Sequence, residues 1–576
     1  MAGRNFVVLP APNPAWSVVG QPRVESRMSA PGERAIGDGH SPGKTLQSRI
    51  RDRAAAAEAT AAVETPVSVE STPVTQSSFL GRSDYMTSND LAIDEDDAMQ
   101  YKAASTNATS ITLELQSSVL SSARTIGLPP QSVKLSLVKS FLDRGKPWMP
   151  IVDESDLDPL LSQSTPSFLL SAVLVAGSKL SAAPNALEWG EKCYLYAKTL
   201  LFYGGSGHSV LQSIVATVLL QWWNPSGPEH VSLDSSSLWL RITVGLAHQL
   251  GLHREPDPAL PDARLRRRLW WTMVTRDNQI ATSHGRPRLL EPQDSNVKPL
   301  RFNDFDDPQD PDVPLFIFFV RINSILADIV CHYRRGSLSE RNRMDIETAL
   351  LQWISDLPPS LHLFERNSRN LNPYNFKTRQ LYVPYFVAII IINRSNSPAQ
   401  QFSLASLMAA SLVTRIFEEY MDWADIMFLA PTSIFYLLVA GLIQISSHRY
   451  PDMAQRADPE VRTVRNALNE LKKRFPTAQG AERIYENILS FSGSIGTLDE
   501  PSMLEEFLTD RRNVMTIPRV AAASSDNDGT SSQALNNRLG QRRSSIQLSQ
   551  PAIGEGEFSF GSLESWWPDW LDPNFT

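Results

Sequence analysis

The sequence predicts an all-α protein, and three patterns indicate that class. Apolar residues recur at the helical period in long segments that begin at about Val133. Residues that break helices separate these segments, at Gly204-Gly205, Pro256–Pro261, Pro308–Pro314 and Pro358-Pro359. Short runs of alternating apolar and polar residues between hairpin turns, which would indicate strands, are not found in the sequence.

The predicted helices all have an apolar stripe that a core could cover. In one of them Val210, Ile214 and Val218 lie on a single helical face. In chain order the predicted helices are Val133–Leu142, Ser167–Leu180, Leu187–Phe202, Val210–Trp222, Leu233–Leu250, Arg264–Ser283, Leu315–Arg335, Glu340–Ser355, Leu381–Asn393, Leu404–Asp422, Ser433–Ser447, Val461–Arg474 and Gln479–Leu489.

Composition divides the 576 residues into three regions. Residues 1–130 are rich in Pro, Gly, Ser, Ala and Thr and are predicted to be disordered, because they carry too few apolar groups to offset the entropy of folding. Residues 131–510 are predicted to form one large helical domain. Residues 511–576 are predicted to be a disordered tail with an acidic-aromatic end.

Charge and cysteine content exclude several classes of protein. The formal net charge of −8 argues against a chain coated with basic, nucleic-acid-binding surface. The two cysteines, Cys193 and Cys331, are too few for a disulfide scaffold or a multi-cysteine zinc module, and we expect them to be reduced core residues. The apolar runs Leu381–Asn393 and Leu429–Ile445 are shorter than the roughly 20 residues that span a bilayer, so no membrane partner is expected.

The densest motif is an ordered set of turn, basic and aromatic residues in the middle of the chain. A Gly-Leu-His-Arg turn is followed by a basic Leu-Trp-Trp helix, an aspartate and a Gly-Arg-Pro turn. Its members are Gly251, Leu252, His253, Arg254, Arg267, Arg268, Leu269, Trp270, Trp271, Asp277, Gly285, Arg286 and Pro287.

This set resembles the middle homology region of fungal zinc-cluster transcription factors, and segments on either side agree with that family in the same order. The resemblance implies a nuclear transcription regulator, an activator of a metabolic or secondary-metabolite gene set. It implies promoter DNA and coactivators as partners, with a small-molecule effector and a second copy of the chain as further candidates. Zinc is the family's cofactor, bound by six cysteines near the N-terminus, and no catalytic residue is implied.

Two departures from the family pattern leave alternatives open. Residues 1–130 contain no cysteine, so these residues cannot build the family's zinc-bound DNA reader, and no cofactor is expected for this chain. DNA contact would then come from a missing exon, an unrecognised segment or a partner, or the protein is a cofactor of another regulator. In addition, Asp277 is followed by Asn278 where the family often has arginine.

Elementary physical chemistry gives each motif a structural role. Gly251 is expected to close its helix in a left-handed conformation, with His253 as a capping or core residue rather than a metal ligand. The basic group Arg264, Arg266, Arg267 and Arg268 is either a nuclear-import or phosphate-binding patch or, as we favour, a set of which some pair with buried carboxylates such as Asp277 while others are solvated.

The Gly-Arg-Pro turn and a set of tryptophans that precede it in the sequence also have structural interpretations. Gly285-Arg286-Pro287 is expected to form a tight turn whose arginine binds backbone carbonyls. A pocket between helices could be lined by large aromatic residues, although core packing is the commoner use of such residues. These residues are Trp222, Trp223, Trp239, Trp270 and Trp271.

The end of the chain is interpreted as a short activation segment. Acidic residues there accompany aromatic residues that could form one face of a helix on a coactivator. The aromatic residues are Phe558, Phe560, Trp566, Trp567 and Trp570.

A competing interpretation is a Mg²⁺-dependent helical terpenoid synthase. Residues 306–310 read Asp-Asp-Pro-Gln-Asp, and a partial second metal motif lies at Asp499, Ser502 and Glu506. We disfavour it, because Pro308, Pro311 and Pro314 would make the first motif a loop. The protein is therefore not expected to be an enzyme.

Overall fold

A computed structural model describes most of the middle of the chain. The described residues are 78–81, 110–127, 129–162, 167–204, 209–365, 371–393, 403–447 and 451–492. In these ranges the backbone forms α-helices, short 3₁₀ turns and one isolated antiparallel bridge between Phe364 and Leu371, with no strand. The all-α prediction is therefore confirmed.

The helices within the described ranges are numbered in chain order. They are α1 Ser110–Arg124, α2 Gln131–Arg144, α3 Glu154–Leu161, α4 Phe168–Lys179, α5 Ala186–Tyr203, α6 Val210–Leu220, α7 Ser236–Gln249, α8 Ala263–His284, α9 Asp312–Arg334, α10 Glu340–Ser355, α11 Phe376–Ile392, α12 Leu404–Asp422, α13 Thr432–Ser447, α14 Pro451–Lys472 and α15 Thr477–Ser492.

Every helix predicted from periodicity is present, and two further helices were not predicted. Helix α1 lies inside the region 1–130 that was expected to be disordered, and it packs on α5. Helix α3 is the second addition. The other described parts of that region are residues 78–81, 125–127 and 129–130. The remaining residues of 1–130, the tail 511–576 with its aromatic residues, and the partial motif at Asp499 lie outside the described residues.

The first half of the domain is built around α4. All twelve residues of α4 are buried, which is the pattern of a helix covered on every side. Helices α2, α5 and α6 pack directly against it, and α7 packs on α6. Their apolar side chains form a first core that extends from Leu137 to Val297.

The second half of the domain is built from α9 to α15, whose apolar side chains form a second core. Helix α9 is long and apolar enough to cross a membrane, but most of its residues are buried under α8, α10 and α11. A central helix of a folded domain has the same composition, and that is the role α9 has here.

Helix α8 lies between the two cores. Its Leu269, Trp270 and Met273 belong to the first core, while the helix also packs against α9 and α13 of the second. The half-buried side chains of Trp148 and Trp271 contact both cores. Helix α8 carries the basic Leu-Trp-Trp motif, so this motif lies where the two halves meet.

The crossing of α2 and α4 is unusually close. A Cβ atom built on Gly177 would lie 2.1 Å from the carbonyl oxygen of Leu137, well inside van der Waals contact. The absence of a side chain at Gly177 is therefore what lets the two backbones approach. In α7, by contrast, a Cβ atom on Gly245 would meet no atom within 4 Å.

We expect Gly177→Ala and Gly245→Ala to change stability in opposite directions. The first substitution forces α2 away from α4 and should lower the free energy of unfolding by about 1–3 kcal/mol, as overpacking does. The second replaces an open helical glycine and should raise it by about 0.5–1 kcal/mol. Urea unfolding of the full chain measures both, and equal effects of the two variants would contradict the close crossing.

Candidate functional site

The first two arginines of the Leu-Trp-Trp motif are held by carboxylates from distant segments. The guanidinium of Arg267 donates to Glu255 Oε1 at 2.6 Å and to the carboxylate of the buried Asp304. Arg268, only 5% exposed, donates to Asp153 Oδ2 at 3.0 Å and to the carbonyl oxygen of Asp304 at 3.0 Å. These charged hydrogen bonds join three loops to the start of α8.

The neighbouring arginines show how exposure changes along the group. Arg266 donates to Asp262 Oδ1 at 2.8 Å, one helical turn away. Arg264 is 61% exposed and reaches Asp306 only at 4.0 Å, a separation at which a solvated pair contributes little. The interpretation as ion pairs is therefore confirmed for Arg266, Arg267 and Arg268, and Arg264 is a solvated residue.

The Gly-Leu-His-Arg turn ends α7 as predicted. Gly251 has a φ of +73°, in the left-handed region, and the N–H of Leu252 donates to the carbonyl oxygen of Ala247 at 2.9 Å. This is the hydrogen bond of a Schellman cap. It turns the chain so that Leu252, which is 2% exposed, enters the first core.

A short N-terminal segment binds at this turn, a contact that the sequence did not predict. The N–H of Phe79 donates to the carbonyl oxygen of Gln249 at 2.7 Å. The Phe79 ring meets the His253 ring edge-on at a centroid distance of 4.8 Å, and the Arg254 guanidinium lies 5.4 Å from its centroid. The turn therefore serves as a docking point for residues 78–81.

His253 has the surroundings of a packing residue. Burial, together with the nearby His248 and Arg254, lowers its pKa, so the imidazole stays neutral near pH 7. The described residues contain no group of three side chains that could hold a metal ion. Cys193 is buried in α5, where burial raises its thiol pKa to about 12, and Cys331 lies in α9 in the other half.

Asp277 does not bind the arginines, contrary to expectation. Its Oδ2 atom accepts the backbone N–H groups of Leu289 and Leu290, both at 2.8 Å. Burial raises the pKa of this carboxyl to about 6, although the two hydrogen bonds act in the opposite direction. The neighbouring Asn278 donates to Ser324 Oγ of α9 at 3.3 Å. Asp277 thus ties the end of the Gly-Arg-Pro turn back to α8.

The Gly-Arg-Pro turn has the geometry expected from the sequence. Gly285 caps α8 with a φ of +61°, and the N–H of Arg286 donates to the carbonyl oxygen of Ala281 at 3.0 Å. The Arg286 guanidinium donates to the carbonyl oxygen of Pro228 at 2.7 Å. The arginine thereby joins the turn to the loop between α6 and α7, as predicted.

Most of the tryptophans considered for a pocket are core residues. Trp239 and Trp270 are buried in the first core, Trp223 stacks on Tyr194, and the Trp271 indole donates to the carbonyl oxygen of Lys298 at 2.8 Å. Trp222 alone among them lines a cavity of about 50 Å³ between the two cores. Arg276 of α8, which the sequence did not single out, lies in the wall of that cavity.

The acidic string at 306–310 forms a loop before α9, as its prolines predicted. Asp306 faces Arg268 at 3.6 Å, while Asp307 and Asp310 accept the backbone N–H groups of Gln309 and Asp312. These carboxylates are engaged in turn and ion-pair contacts, so they do not form the helical metal site of a terpenoid synthase.

We expect Asp277→Asn to preserve the turn and Asp277→Ala to disrupt it. Asparagine keeps an oxygen that can accept both N–H groups, whereas alanine leaves two buried donors unpaired and should cost about 2–5 kcal/mol. The aspartate has a raised folded pKa, so its favourable contribution is present at low pH and is lost as the pH rises through about 6.

The free energy of unfolding of the Asn variant should therefore rise relative to that of the wild type between about pH 4 and pH 7, by roughly 3 kcal/mol at most. Urea unfolding at several pH values measures this difference. A difference independent of pH would contradict the burial of an ionisable Asp277.

We also expect Arg267→Met and Arg264→Met to differ sharply. The first leaves the buried carboxylate of Asp304 without its partner and should lower the free energy of unfolding by about 3–5 kcal/mol. The second removes a solvated charge and should change it by less than about 1 kcal/mol. Equal losses of stability would refute the ion-pair assignment.

Comparison with known proteins places this geometry in a family. Residues 138–472, more than half of the chain, match the fungal specific transcription factor domain. Cutinase transcription factor 1 alpha of Fusarium vanettenii is 25% identical over 63% of this chain and 43% of its own length. The acetamidase regulatory protein of Aspergillus fumigatus is 25% identical over 62% of this chain and 49% of its own length.

Further relatives match shorter stretches. The transcriptional activator protein acu-15 of Neurospora crassa is 27% identical over 30% of this chain. The chain spans less than half the length of these three curated relatives, and no solved structure matches it. Taken together with the capped turns and the paired arginines of α8, the match over residues 138–472 shows that the chain belongs to the fungal specific transcription factor domain family.

Proposed function

We propose that this protein regulates transcription in the nucleus, as an activator of a metabolic or secondary-metabolite gene set. The observation that carries the proposal is the family match over residues 138–472, which covers most of both cores and the motif between them. One relative is named as a transcription factor and another as a transcriptional activator, and these names favour activation of transcription over repression.

The structure bears on how such a regulator would reach a promoter. Carboxylates of the domain form ion pairs with Arg266, Arg267 and Arg268. Because these pairs neutralise the three guanidinium charges, the arginines are poorly placed to bind DNA phosphates. We therefore expect promoter contact to come from another part of the protein or from a partner regulator. The helical domain would then supply regulation, and the acidic-aromatic tail would bind coactivators.

A reporter assay in a fungal host tests activation. The full chain is fused to a DNA-binding domain of known site, and transcription from that site is compared with the DNA-binding domain alone. We expect several-fold activation, because acidic-aromatic segments bind coactivators through their exposed rings. Transcription at the level of the DNA-binding domain alone would overturn the activator assignment.

The tail is tested by replacing Trp566, Trp567 and Trp570 with serine in the same fusion. We expect most of the activation to be lost, since the rings are the apolar anchors of the segment. Trp16→Ser is the matched control, because it removes an indole from the opposite end of the chain. Equal activity of the triple variant and the control would exclude the tail as the activating segment.

A further inference from the structure

The cavity between the two cores is large enough for a small ligand. Its volume of about 50 Å³ is several times the roughly 10–15 Å³ that one buried water requires. Aromatic rings form much of its wall, among them Trp148, Phe319, Phe417 and Phe428. Residues of α2, α8, α11, α12 and the start of α13 all reach it, so an occupant would contact both halves of the domain.

The charge of the wall is entirely positive. Two arginines, Arg144 and Arg276, line the cavity, and the described lining residues include no aspartate or glutamate. Arg144 is half-buried, lies 3.9 Å from the centroid of the Phe428 ring and donates to the carbonyl oxygen of Leu180 at 3.5 Å. A cavity with two cations and no anion favours a negatively charged occupant.

Arg276 differs from the other buried arginines of the described residues. Arg268 and Arg379 are each paired with a carboxylate, at 3.0 and 2.7 Å. Arg276 donates only to neutral amide oxygens, those of Gln221 at 3.3 Å and Gln279 at 3.0 Å. Burial lowers its pKa to about 10, so the guanidinium remains charged near pH 7. A buried charge of this kind is stabilised strongly by an anion that binds beside it.

Two further residues of the cavity wall, Tyr420 and Gln380, carry hydrogen-bond donors. Tyr420 is 1% exposed, and its hydroxyl has no partner among the described residues. The amide nitrogen of Gln380, also in the wall, is likewise unpartnered there. Helix α13 begins at the cavity with Thr432 and Ser433, and the N-terminal end of a helix favours negative charge.

We propose that this cavity binds a small organic monocarboxylate. The ligand's carboxylate pairs with the Arg276 guanidinium and accepts from the Tyr420 hydroxyl, and its short apolar part packs against the aromatic wall. The planar fork of a guanidinium matches the two oxygens of a carboxylate, and the apolar wall disfavours a fully hydrated inorganic anion. On the proposed function, binding would couple the two halves of the domain and thereby regulate transcription.

The test uses the purified full chain with propionate and butyrate as probes. Calorimetric titration and thermal unfolding are run with these acids, with propionamide and butyramide as neutral matches, and with chloride and phosphate. We expect saturable heat and a saturable rise in Tm with the carboxylates only. No saturable effect of any carboxylate, or an equal effect of the amides or of phosphate, would overturn the proposal.

Two variants locate the site. Arg276→Met keeps the length of the side chain and removes the charge, and we expect Kd for butyrate to rise by about tenfold or more. Its Tm without ligand should not fall, because the substitution removes a buried charge that has no counter-charge. Unchanged butyrate binding by this variant would overturn the assignment of Arg276.

Tyr420→Phe decides the matter if the methionine variant does not fold. It removes only the unpartnered hydroxyl, and we expect weaker butyrate binding. Tyr485→Phe is its control, since the hydroxyl of Tyr485 is also buried and unpartnered within the described residues but lies in α15, away from the cavity. Equal Kd values for these two variants would exclude the site.

These measurements are independent of the reporter assay. Binding by the purified chain with an inactive reporter fusion would support the site and count against the proposed function. An active fusion with no carboxylate binding would support the proposed function and overturn the carboxylate site.

Discussion

The arrangement of this domain depends on neutralising the arginines at the start of α8. The N-terminal end of a helix is electropositive, so a cluster of guanidinium groups there is unfavourable unless anions offset it. Arg267 and Arg268 recruit Glu255, Asp304 and Asp153, which lie 12, 37 and 115 positions away in the sequence. Each carboxylate brings its own loop to α8. The helix is thereby fixed between the cores, and the first half of the domain is tied to the segment that leads into the second.

The fold could largely be predicted from the sequence because most helices have one face that a core covers. The helical period of the apolar residues predicted α10 and α12 with the bounds that the structure shows. The two helices that were missed bury little of their surface. Helix α1 leaves Leu113 and Leu115 exposed and buries only Ala123 among its described side chains. Helix α3 has eight residues, contains Pro159 and buries only Leu157, and it starts with a capping box at Asp153. Helix α14 was placed too late because its residues before Val461 are mostly polar.

In the candidate site, features that depend on neighbouring residues could be predicted from the sequence, and features that depend on distant segments could not. The turns at Gly251 and Gly285 were predictable, since a left-handed residue at a helix end is a local requirement. The partners of the arginines and the cavity were not, because they depend on segments far apart in the sequence. A signal for Arg276 did exist: it follows Leu269 and Met273 at helical spacing, on the stripe that faces the core. A cation at such a position indicates an interior charge rather than a solvated one.

The docking of Phe79 on the turn after α7 makes that turn an occupied binding surface. Two hydrogen bonds to the Gln249 carbonyl oxygen, from the Phe79 N–H and the Ser78 hydroxyl, and the contacts of the Phe79 ring with His253 and Arg254 would make only a weak complex between separate molecules. Within one chain, however, the effective concentration of the segment is set by its covalent connection, so a few contacts suffice to keep it bound. A competitor from another protein would have to exceed that local concentration to displace it. The chain thus covers the turn after α7 with its own residues 78–81, and any partner that bound at this turn would first have to displace them.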